Sequence, residues 1–426
     1  MKLAFVNRGA ELAELDAAAR QGGLLIVFGR RRVGKTRLLR HWMDGQGGMF
    51  SQALEGPVAM QVAQVFADIQ PQLETRLVPR GWEDLLEILG LQKIPWILCL
   101  DEFPYLTAMD SSLPSRLQRW LDHGMPDGCL LILSGSSMRM MHDLFLHRAA
   151  PLYGRARKLL QVGPMAYPAF CGACGRSAGS MESFELFACV GGIPKYWEYV
   201  EADANAVDLA ESLFFDFAPY MEQEPRRILA DEGVAGTNAL AVLEAVGRGA
   251  ARAGEIASRL GTAQTNLSRL LQQLMDASVL ARDLPYGEST RSTKRTLYRI
   301  HDPALRFWFS VYSPHRTLWR TYTPGKKSLL IHEHAASVFE DWCRGLYPAS
   351  GRYWENRLEI DLICPDPEAP GRLLVGEAKW KFLTKREHAA VLHDLKAKWA
   401  HCTLSARHPS VRFEIHDAHH LHAVRH

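Results

Sequence analysis

Residues 23–36, GLLIVFGRRRVGKT, decide the fold of this chain. Residues 24–28 form a short apolar run, as in a buried strand, and the next eight residues follow the spacing GxxxxGK[ST]. The residues behind them, TRLLRHW, have the apolar spacing of a helix. A strand, a glycine-rich turn and the amino end of a helix together direct backbone N–H groups at an anion. The sequence therefore predicts a phosphate-binding loop in an α/β domain.

Residues 29–36, called the phosphate loop below, have the groups that a nucleoside triphosphate needs. Lys35 is expected to reach the β and γ phosphates, and the Thr36 hydroxyl to hold Mg²⁺. An ordinary glycine-rich turn is the alternative, but the strand in front and the helix behind disfavour it. We assign nucleotide contacts to Gly29, Arg30, Arg31, Arg32, Val33, Gly34, Lys35, Thr36 and Arg37.

Two carboxylates, Asp101 and Glu102, end a second apolar run at residues 96–100. Asp101, at the strand tip, is placed to hold Mg²⁺ through water. Glu102 is placed to polarise the water that attacks the γ-phosphate. A strand-end acid pair can also simply cap the following turn. Together with the phosphate loop, however, the pair favours ATP hydrolysis over nucleotide storage.

Two further polar side chains lie next to apolar runs. Ser136, in LILSGSSMRMM, is a candidate for sensing the γ-phosphate, and a small-residue turn that caps a helix is the alternative. Arg155, in PLYGRA, is a candidate for neutralising charge on the transferred phosphoryl group, a role worth about 10³ to 10⁵ in turnover. The alternative for Arg155 is a surface salt bridge. The sequence leaves open whether Arg155 acts within its own chain or on a neighbouring one.

Length and composition set the number and kind of domains. The chain has 426 residues, enough for about three domains, and 47% hydrophobic residues, which excludes a largely disordered protein. Apolar runs at residues 24–28, 96–100, 130–133 and 158–162 alternate with helical spacing, which predicts a parallel sheet with helices on both faces. We place domain boundaries at 1–163 (nucleotide-binding core), 164–232 (helical lid), 233–312 (winged helix-turn-helix) and 313–426 (C-terminal α/β domain).

The third domain has the pattern of a winged helix. Three amphipathic helices precede two strand-like runs, VLARD and RTLYRI, which a basic loop joins. Amides and hydroxyls near the start of the third helix suit base edges, and the basic loop suits phosphates. The helix residues are Gln264, Thr265, Asn266, Ser268, Arg269 and Gln272, and the loop residues are Arg291, Ser292, Thr293, Lys294 and Arg295. Double-stranded DNA is the predicted partner, and docking of a protein is the alternative.

The C-terminal domain carries a second candidate metal site. Side chains two residues apart in a strand share a face, so Glu377 and Lys379 point the same way. Neighbouring strands would then present Asp361 and Glu377 to one Mg²⁺, with Lys379 beside the attacking water and Glu340 completing the metal shell. The alternative is a solvated pair of charged strands without a metal.

Segments of this chain resemble two known families. FVNRGAELAEL, GRRRVGKT, ILCLDE, LILSGSS, PLYGR and GGIPKY together resemble the archaeal-type ATPases of the P-loop class, relatives of the AAA+ and STAND groups. The resemblance implies that Arg8 and Glu11 lie beside adenine and that Pro194 of the lid contacts the nucleotide. Gly9 stands where that family usually has glutamate. FEDW and GEAKW, with Asp361, Glu377 and Lys379, resemble the PD-(D/E)xK nuclease fold, which implies a restriction-endonuclease-like domain.

The net charge and the apolar runs exclude several classes of protein, and the cysteines and histidines bear on metal binding. The net charge of +3 predicts neither a nucleic-acid coat nor a membrane-binding surface. No apolar run is long enough to span a bilayer and no secretory signal precedes the first charges, so we expect a cytoplasmic protein without a membrane partner. Cys171 and Cys174 form one CxxC without a second pair, which favours a glycine-rich loop over a zinc site. Five histidines in residues 416–426 suit adventitious metal binding.

From the sequence we therefore expect an Mg²⁺-dependent ATPase whose nucleotide state controls a DNA-binding winged domain and a nuclease-like module. The alternative is a nucleotide-gated switch that binds DNA or protein without cutting. A homo-oligomer or a partner protein is compatible with both.

Overall fold

The computed structural model describes residues 3–93, 95–234 and 236–422. Its first domain is built on a five-stranded parallel sheet with the order β2-β3-β4-β1-β5. The strands are β1 (Gly23–Phe28), β2 (Met49–Gln52), β3 (Ile97–Asp101), β4 (Leu130–Gly135) and β5 (Ala156–Gln161). Four of them coincide with the apolar runs of the sequence. β2 was not predicted, because MFSQ has only four residues and its two apolar residues precede two polar ones, without the alternation of a strand.

Helices cover both faces of this sheet. Leu25 and Val27 of β1 pack into one core with α1 and α2, while Leu24 and Ile26 pack into a second core with α3 to α6. The helices are α1 (Gly9–Gln21), α2 (Lys35–Asp44), α3 (Val58–Ile69), α4 (Trp82–Gly90), α5 (Phe103–Met109), α6 (Leu113–His123) and α7 (Met138–Phe145). The predicted doubly covered parallel sheet is confirmed.

A helical segment follows β5, as the sequence predicts. Its helices are α8 (Tyr167–Cys174), α9 (Met181–Val190), α10 (Pro194–Trp197), α11 (Ala206–Ala210) and α12 (Glu224–Asp231). The expectation of a loop at the CxxC is wrong, because Cys171 and Cys174 lie in α8, which Gly175 ends in a left-handed conformation. We refer to residues 167–231 as the lid.

The next segment has the three helices and two strands of a winged helix. They are α13 (Thr237–Gly247), α14 (Ala253–Arg259), α15 (Gln264–Asp276), β6 (Leu280–Asp283) and β7 (Leu297–Ile300), with the two strands antiparallel. Leu243, Ile256, Leu267 and Leu271 are buried together, which matches the apolar faces of the sequence.

The last segment begins with α16 (Pro303–Phe307), α17 (Ser313–His315) and the long α18 (Pro324–Gly345). A four-stranded mixed sheet of order β11-β10-β9-β8 follows, in which only β10 and β11 are parallel. Its elements are β8 (Gly351–Glu355), β9 (Leu358–Pro365), β10 (Leu373–Lys379), α19 (Lys385–Ala400) and β11 (Val411–Asp417). Short 3₁₀ or π turns occupy Gln70–Gln72, Glu211–Phe215, Trp308–Tyr312, Trp319–Thr321, Ser405–Arg407 and Ala418–His422.

One hydrophobic core joins the nucleotide-binding domain, the lid and the C-terminal domain. Trp380, directly after β10, lies with its ring centroid 4.8 Å from Phe184 of the lid and 5.0 Å from Phe339 of α18. Phe307 packs into this core, and Phe309 packs into the core of the winged segment. A rotation of the lid must therefore carry the C-terminal domain along or break this core.

Among the described residues, no helix combines the length and the apolar character that crossing a bilayer requires.

Candidate functional site

The phosphate loop has the backbone geometry that an anion cradle requires. Gly29 has φ 159°, and a Cβ at this position would lie 2.2 Å from the carbonyl oxygen of Val162. Gly34 has φ 96°, in the left-handed region, immediately before α2 begins at Lys35. Side chains are disfavoured at both positions, which explains the two glycines of the motif. The loop thus leads directly from the carboxyl end of β1 into the amino end of a helix.

Lys35, Thr36 and Asp101 form a compact polar cluster at this loop. The Lys35 ammonium is buried and donates to the backbone carbonyls of Gly29 (2.8 Å) and Arg30 (3.3 Å). Burial lowers the pKa of Lys35, while the charges of Glu102 and Asp101 act in the opposite direction. The Thr36 hydroxyl donates to Oδ2 of Asp101 at 2.5 Å.

This cluster fits a phosphate-bound cation. Asp101 is fully buried, and its Oδ1 has no hydrogen-bond partner among the described residues. An orphaned buried carboxylate oxygen is costly unless a cation or a water meets it. Thr36 and Asp101 would hold Mg²⁺, and Lys35 would turn from the loop carbonyls to the phosphates.

Glu102 and Ser136 meet at the carboxyl ends of neighbouring strands β3 and β4. The Ser136 hydroxyl donates to Oε2 of Glu102 at 2.8 Å. Glu102 has φ 55°, so its backbone turns sharply at the point where α5 begins. The structure therefore brings Ser136 to the candidate catalytic base, in a position to hold its carboxylate.

Arg8, predicted to lie beside adenine, and Pro194, predicted to contact the nucleotide, line a small cavity of about 30 Å³ next to the phosphate loop, whereas Glu11 is not among its lining residues. Val33, Gly34 and Arg37 line it as well. Arg8 donates to the carbonyls of Val33 (2.7 Å) and Gly163 (2.9 Å) and to Glu11 (2.6 Å). Arg37 donates to the carbonyl of Leu3. The cavity is too small for a purine base, so a base can enter only if its walls move.

The three arginines of the phosphate loop pair with acids from later parts of the chain. Arg31 pairs with Asp231 of α12 at 2.7 Å. Arg32 pairs with Glu224 of the same helix and lies over the ring of Tyr220. Arg30 pairs at 3.2 Å with Asp302, which also caps α16. We call these three ion pairs the arginine clamp.

Arg155 lies away from this site. It immediately precedes β5, at the amino end of the parallel strands, whereas the phosphate loop follows their carboxyl ends. Its guanidinium pairs with Asp122 at 3.0 Å and donates to the carbonyl of Pro151. The structure does not bring Arg155 to the phosphate loop of its own chain.

The C-terminal site assembles the predicted residues on β9 and β10. Oδ2 of Asp361 accepts from the backbone N–H of Ala378 at 3.0 Å. Glu377 is 6% exposed and receives the ammonium of Lys379 at 2.9 Å. It also receives a second ammonium, from Lys398 of α19, at 2.8 Å.

Lys398 was not predicted from the sequence. It lies on α19 beside the buried Trp399, at the border of the helix's apolar face. No local motif marks such a position, because the contact joins residues of two separate elements.

Glu340 of α18 points to the same carboxylates. Burial raises the pKa of Glu340 to about 7, and the neighbouring charge of Asp361 adds to this shift. Burial likewise raises the pKa of Asp361, and the charge of Glu377 contributes. Buried carboxylates that repel one another in this way fit a divalent cation, which would be held by Glu340, Asp361 and Glu377.

The residue next to Glu340 fixes the winged segment to the C-terminal domain. Asp341 receives guanidinium groups from Arg299 of β7 (2.9 Å), Arg306 of α16 (2.5 Å) and Arg344 of α18. Its pKa lies well below the ordinary value, because these three charges outweigh the effect of burial. The winged segment is therefore held against α18 at Asp341, the residue next to Glu340 of the candidate metal site.

The helix predicted to read bases is open to solvent. The side chains of Gln264, Thr265, Asn266, Ser268 and Arg269 are all exposed at the start of α15. In the loop between β6 and β7, one of the three basic side chains is already paired within the chain. Arg295 pairs with Glu288 and donates to the carbonyl of Trp354 in β8, whereas Arg291 and Lys294 remain exposed.

Three family models match the chain in the predicted order. Residues 5–200 match a model described as an ATPase domain predominantly from Archaea. Residues 237–284 match an IclR helix-turn-helix domain, and residues 329–391 match a family of archaeal and bacterial proteins of unknown function. The chain therefore contains an archaeal-type ATPase domain followed by a helix-turn-helix domain, and the predicted resemblance to archaeal-type ATPases is confirmed.

The chain is also similar to individual proteins. The uncharacterized protein MJECL04 of Methanocaldococcus jannaschii is 26% identical over 421 residues, which cover 92% of this chain and 91% of that protein. Among solved structures, the Walker-type ATPase PABY2304 of Pyrococcus abyssi has a TM-score of 0.54 at 18% identity, over 72% of this chain and 96% of that one. The Aeropyrum pernix ORC2 protein has a TM-score of 0.46 at 12% identity, over 77% and 92%. The Pyrococcus structure shows that the fold is shared.

Lys35→Ala is expected to abolish binding of ATP with Mg²⁺, because the substitution removes the ammonium nearest the phosphates. Isothermal titration calorimetry on the full chain measures this loss. Lys93→Ala provides the control, since Lys93 is 82% exposed and precedes the amino end of β3.

Glu102→Gln is expected to bind ATP as the unaltered chain does and to lose most of its turnover, because the amide cannot accept a proton. Phosphate release in the presence of Mg²⁺ measures the turnover. Unchanged turnover in Glu102→Gln would exclude this carboxylate from the chemistry.

Proposed function

We propose that this protein is an Mg²⁺-dependent ATPase whose nucleotide state controls the position of a DNA-binding winged domain and of a metal-dependent nuclease-like site. The observation that carries the proposal is the arginine clamp. It joins the nucleotide-binding loop to α12, which leads into the winged domain, and to Asp302, which directly follows that domain, so a ligand at the loop acts on both of its ends.

The ATPase part rests on the cluster at the ends of β1, β3 and β4. Lys35 binds the phosphates, Thr36 and Asp101 hold the metal, and Glu102 accepts a proton from the attacking water while Ser136 orients its carboxylate. Mg²⁺ supplies charge neutralisation on the phosphates. The backbone N–H groups at the start of α2 complete the phosphate cradle.

The gating part rests on competition for the loop arginines. Bound phosphates bring several negative charges to guanidinium groups that now face Asp231, Glu224 and Asp302. The Arg31–Asp231 pair is the weakest of the three, because its partners are 49% and 27% exposed and solvent screens it. Nucleotide binding therefore first releases the end of α12, directly before the winged segment.

The nuclease-like part rests on the cluster around Asp361. Glu340, Asp361 and Glu377 would hold the cation, and Lys379 would lie beside the attacking water. Mg²⁺ would supply a more acidic bound water and charge neutralisation at the phosphodiester. The nearby Asp341 cluster joins β7 of the winged domain to α18, which carries Glu340 of this site.

A second candidate is a nucleotide-gated switch that binds DNA without cutting it. It is favoured by the two ammonium groups of Lys379 and Lys398, which together saturate the Glu377 carboxylate. In this case the C-terminal site would bind a phosphate backbone rather than a catalytic metal.

Cleavage of duplex DNA by the full chain with Mg²⁺ or Mn²⁺ and ATP is expected to disappear in Asp361→Ala, because the cation loses a carboxylate ligand. A gel-based assay on a plasmid and on linear fragments measures it. Glu359→Gln is the matched control, because Glu359 is 54% exposed on the same strand. If the unaltered chain leaves every DNA and RNA substrate intact under all these conditions, the switch replaces the nuclease.

The double substitution Arg291→Ala with Lys294→Ala is expected to weaken binding of a random-sequence duplex. The slope of log K against log salt should fall by roughly two, since each lost phosphate contact contributes about 0.9. Fluorescence anisotropy over a salt series measures the slope, and Arg248→Ala is the control. An unaltered slope would indicate that the winged domain docks a protein.

Asp231→Asn is expected to raise the affinity for a non-hydrolysable ATP analogue by about two- to fivefold, because a competing carboxylate is lost in a pair worth at most about 1 kcal/mol. Calorimetry with Mg²⁺ measures the change. Glu182→Gln, on the exposed side of α9, is the control. Equal affinities in the unaltered chain and both variants would contradict the competition.

A further inference from the structure

The carboxyl end of β11 brings together side chains that the proposed function does not use. Glu414 and His416 are two residues apart in the strand and therefore share a face. The turn Ala418–His422 then folds back and places His420 beside them. One potential ligand atom from each of these three residues lies within 4.8 Å of the others.

The distances among these atoms approach those of a tetrahedral metal site. Oε1 of Glu414 lies 3.6 Å from Nε2 of His416 and 3.6 Å from Nε2 of His420. The hydroxyl of Tyr347 lies 2.8 Å from the same nitrogen of His416 and 3.5 Å from Oε1 of Glu414. Zinc bonds of about 2.0–2.2 Å in a tetrahedron separate neighbouring ligand atoms by roughly 3.3–3.6 Å.

The surroundings orient these groups. Arg412 donates to Oε2 of Glu414 at 2.7 Å, which leaves Oε1 directed at the histidines. Oδ1 of Asp417 lies 3.5 Å from Nδ1 of His420, where a carboxylate commonly supports a metal-bound histidine. The side chain of His416 is 1% exposed, and its Nδ1 has no hydrogen-bond partner among the described residues.

The same groups also make a hydrogen-bonded cluster without a metal. The backbone N–H of Asp417 donates to Nδ1 of His420 at 3.2 Å, which leaves the proton of a neutral ring on Nε2. Metal binding at Nε2 requires the other tautomer, in which Nδ1 donates to Oδ1 of Asp417. The two states therefore differ in the proton position on one ring.

We propose that Glu414, His416 and His420 bind a divalent transition-metal ion of the zinc class, with Tyr347 or a water as the fourth ligand. Two imidazoles and a carboxylate suit zinc better than magnesium, which takes oxygen ligands. The site is separate from the one at Asp361, because Ala378 pairs with His416 in the sheet while Glu377 and Lys379 point to the opposite face.

The ion would act as a structural clamp. Tyr347 follows α18, and His420 lies in the turn whose Ala418 and Leu421 belong to the core shared with the lid. A single ion thus joins the end of α18, the last strand and the terminal turn. This inference does not depend on the proposed function, since it concerns neither nucleotide nor DNA.

The test uses the full chain without a polyhistidine tag, stripped of metal and then titrated with Co²⁺ under excess Mg²⁺. We expect one equivalent of Co²⁺ with the visible absorption of a four-coordinate site, displaced by Zn²⁺, and a higher melting temperature with Zn²⁺ bound. His420→Asn and Glu414→Gln should each lower the Co²⁺ affinity about tenfold or more. His419→Asn is the matched control, because His419 is exposed and lies one residue away.

Two outcomes would overturn the proposal. One is the absence of the four-coordinate cobalt spectrum in the unaltered chain. The other is equal Co²⁺ affinity in the His420, Glu414 and His419 variants, which would indicate adventitious binding by exposed histidines. Circular dichroism verifies that each variant is folded, so a lower Co²⁺ affinity reports the loss of a ligand rather than of the fold.

Discussion

The arginine clamp is the interaction on which the remaining architecture depends. Three consecutive guanidinium groups lie in the loop that we propose to bind phosphates, and each is paired with a carboxylate from a later part of the chain. Two of these pairs are nearly buried, and breaking a buried pair without replacing the partner costs about 3–5 kcal/mol. Under the proposed function, phosphate groups are such replacements, so the same arginines would hold either α12 and Asp302 or a nucleotide.

The shared aromatic core connects the lid to the C-terminal domain. Phe184 of the lid, Phe339 of α18 and Trp380 after β10 are in contact, and Trp380 follows Lys379 of the candidate metal site directly. A movement of the lid therefore reaches the C-terminal carboxylates through packed side chains. The cluster around Asp341 adds a second connection, between the winged segment and the same site.

Much of the fold and of the candidate sites was predictable because the residues that mark them are close together in the sequence. The phosphate loop, the acid pair at Asp101 and the strand pair at Asp361 each lie within one short segment, so spacing alone locates them. Contacts between distant segments have no such signal. The pairing of Arg30 with Asp302 depends on how the domains pack, and the second lysine at Glu377 depends on how α19 packs against β10. Arg155 is far from the phosphate loop because it precedes β5, at the opposite end of the parallel strands. The CxxC was predicted as a loop because its glycines concealed the apolar face of α8.

The most direct test of this account is the distance between α12 and the nucleotide-binding domain. Spin labels at Arg227→Cys in α12 and Ser115→Cys in α6, in a Cys174→Ser background, report it by pulsed electron paramagnetic resonance. Saturating Mg²⁺ and a non-hydrolysable ATP analogue are expected to shift the distance distribution, because phosphates displace Asp231 and Glu224 from the loop arginines. An identical distribution with and without bound nucleotide would contradict the account.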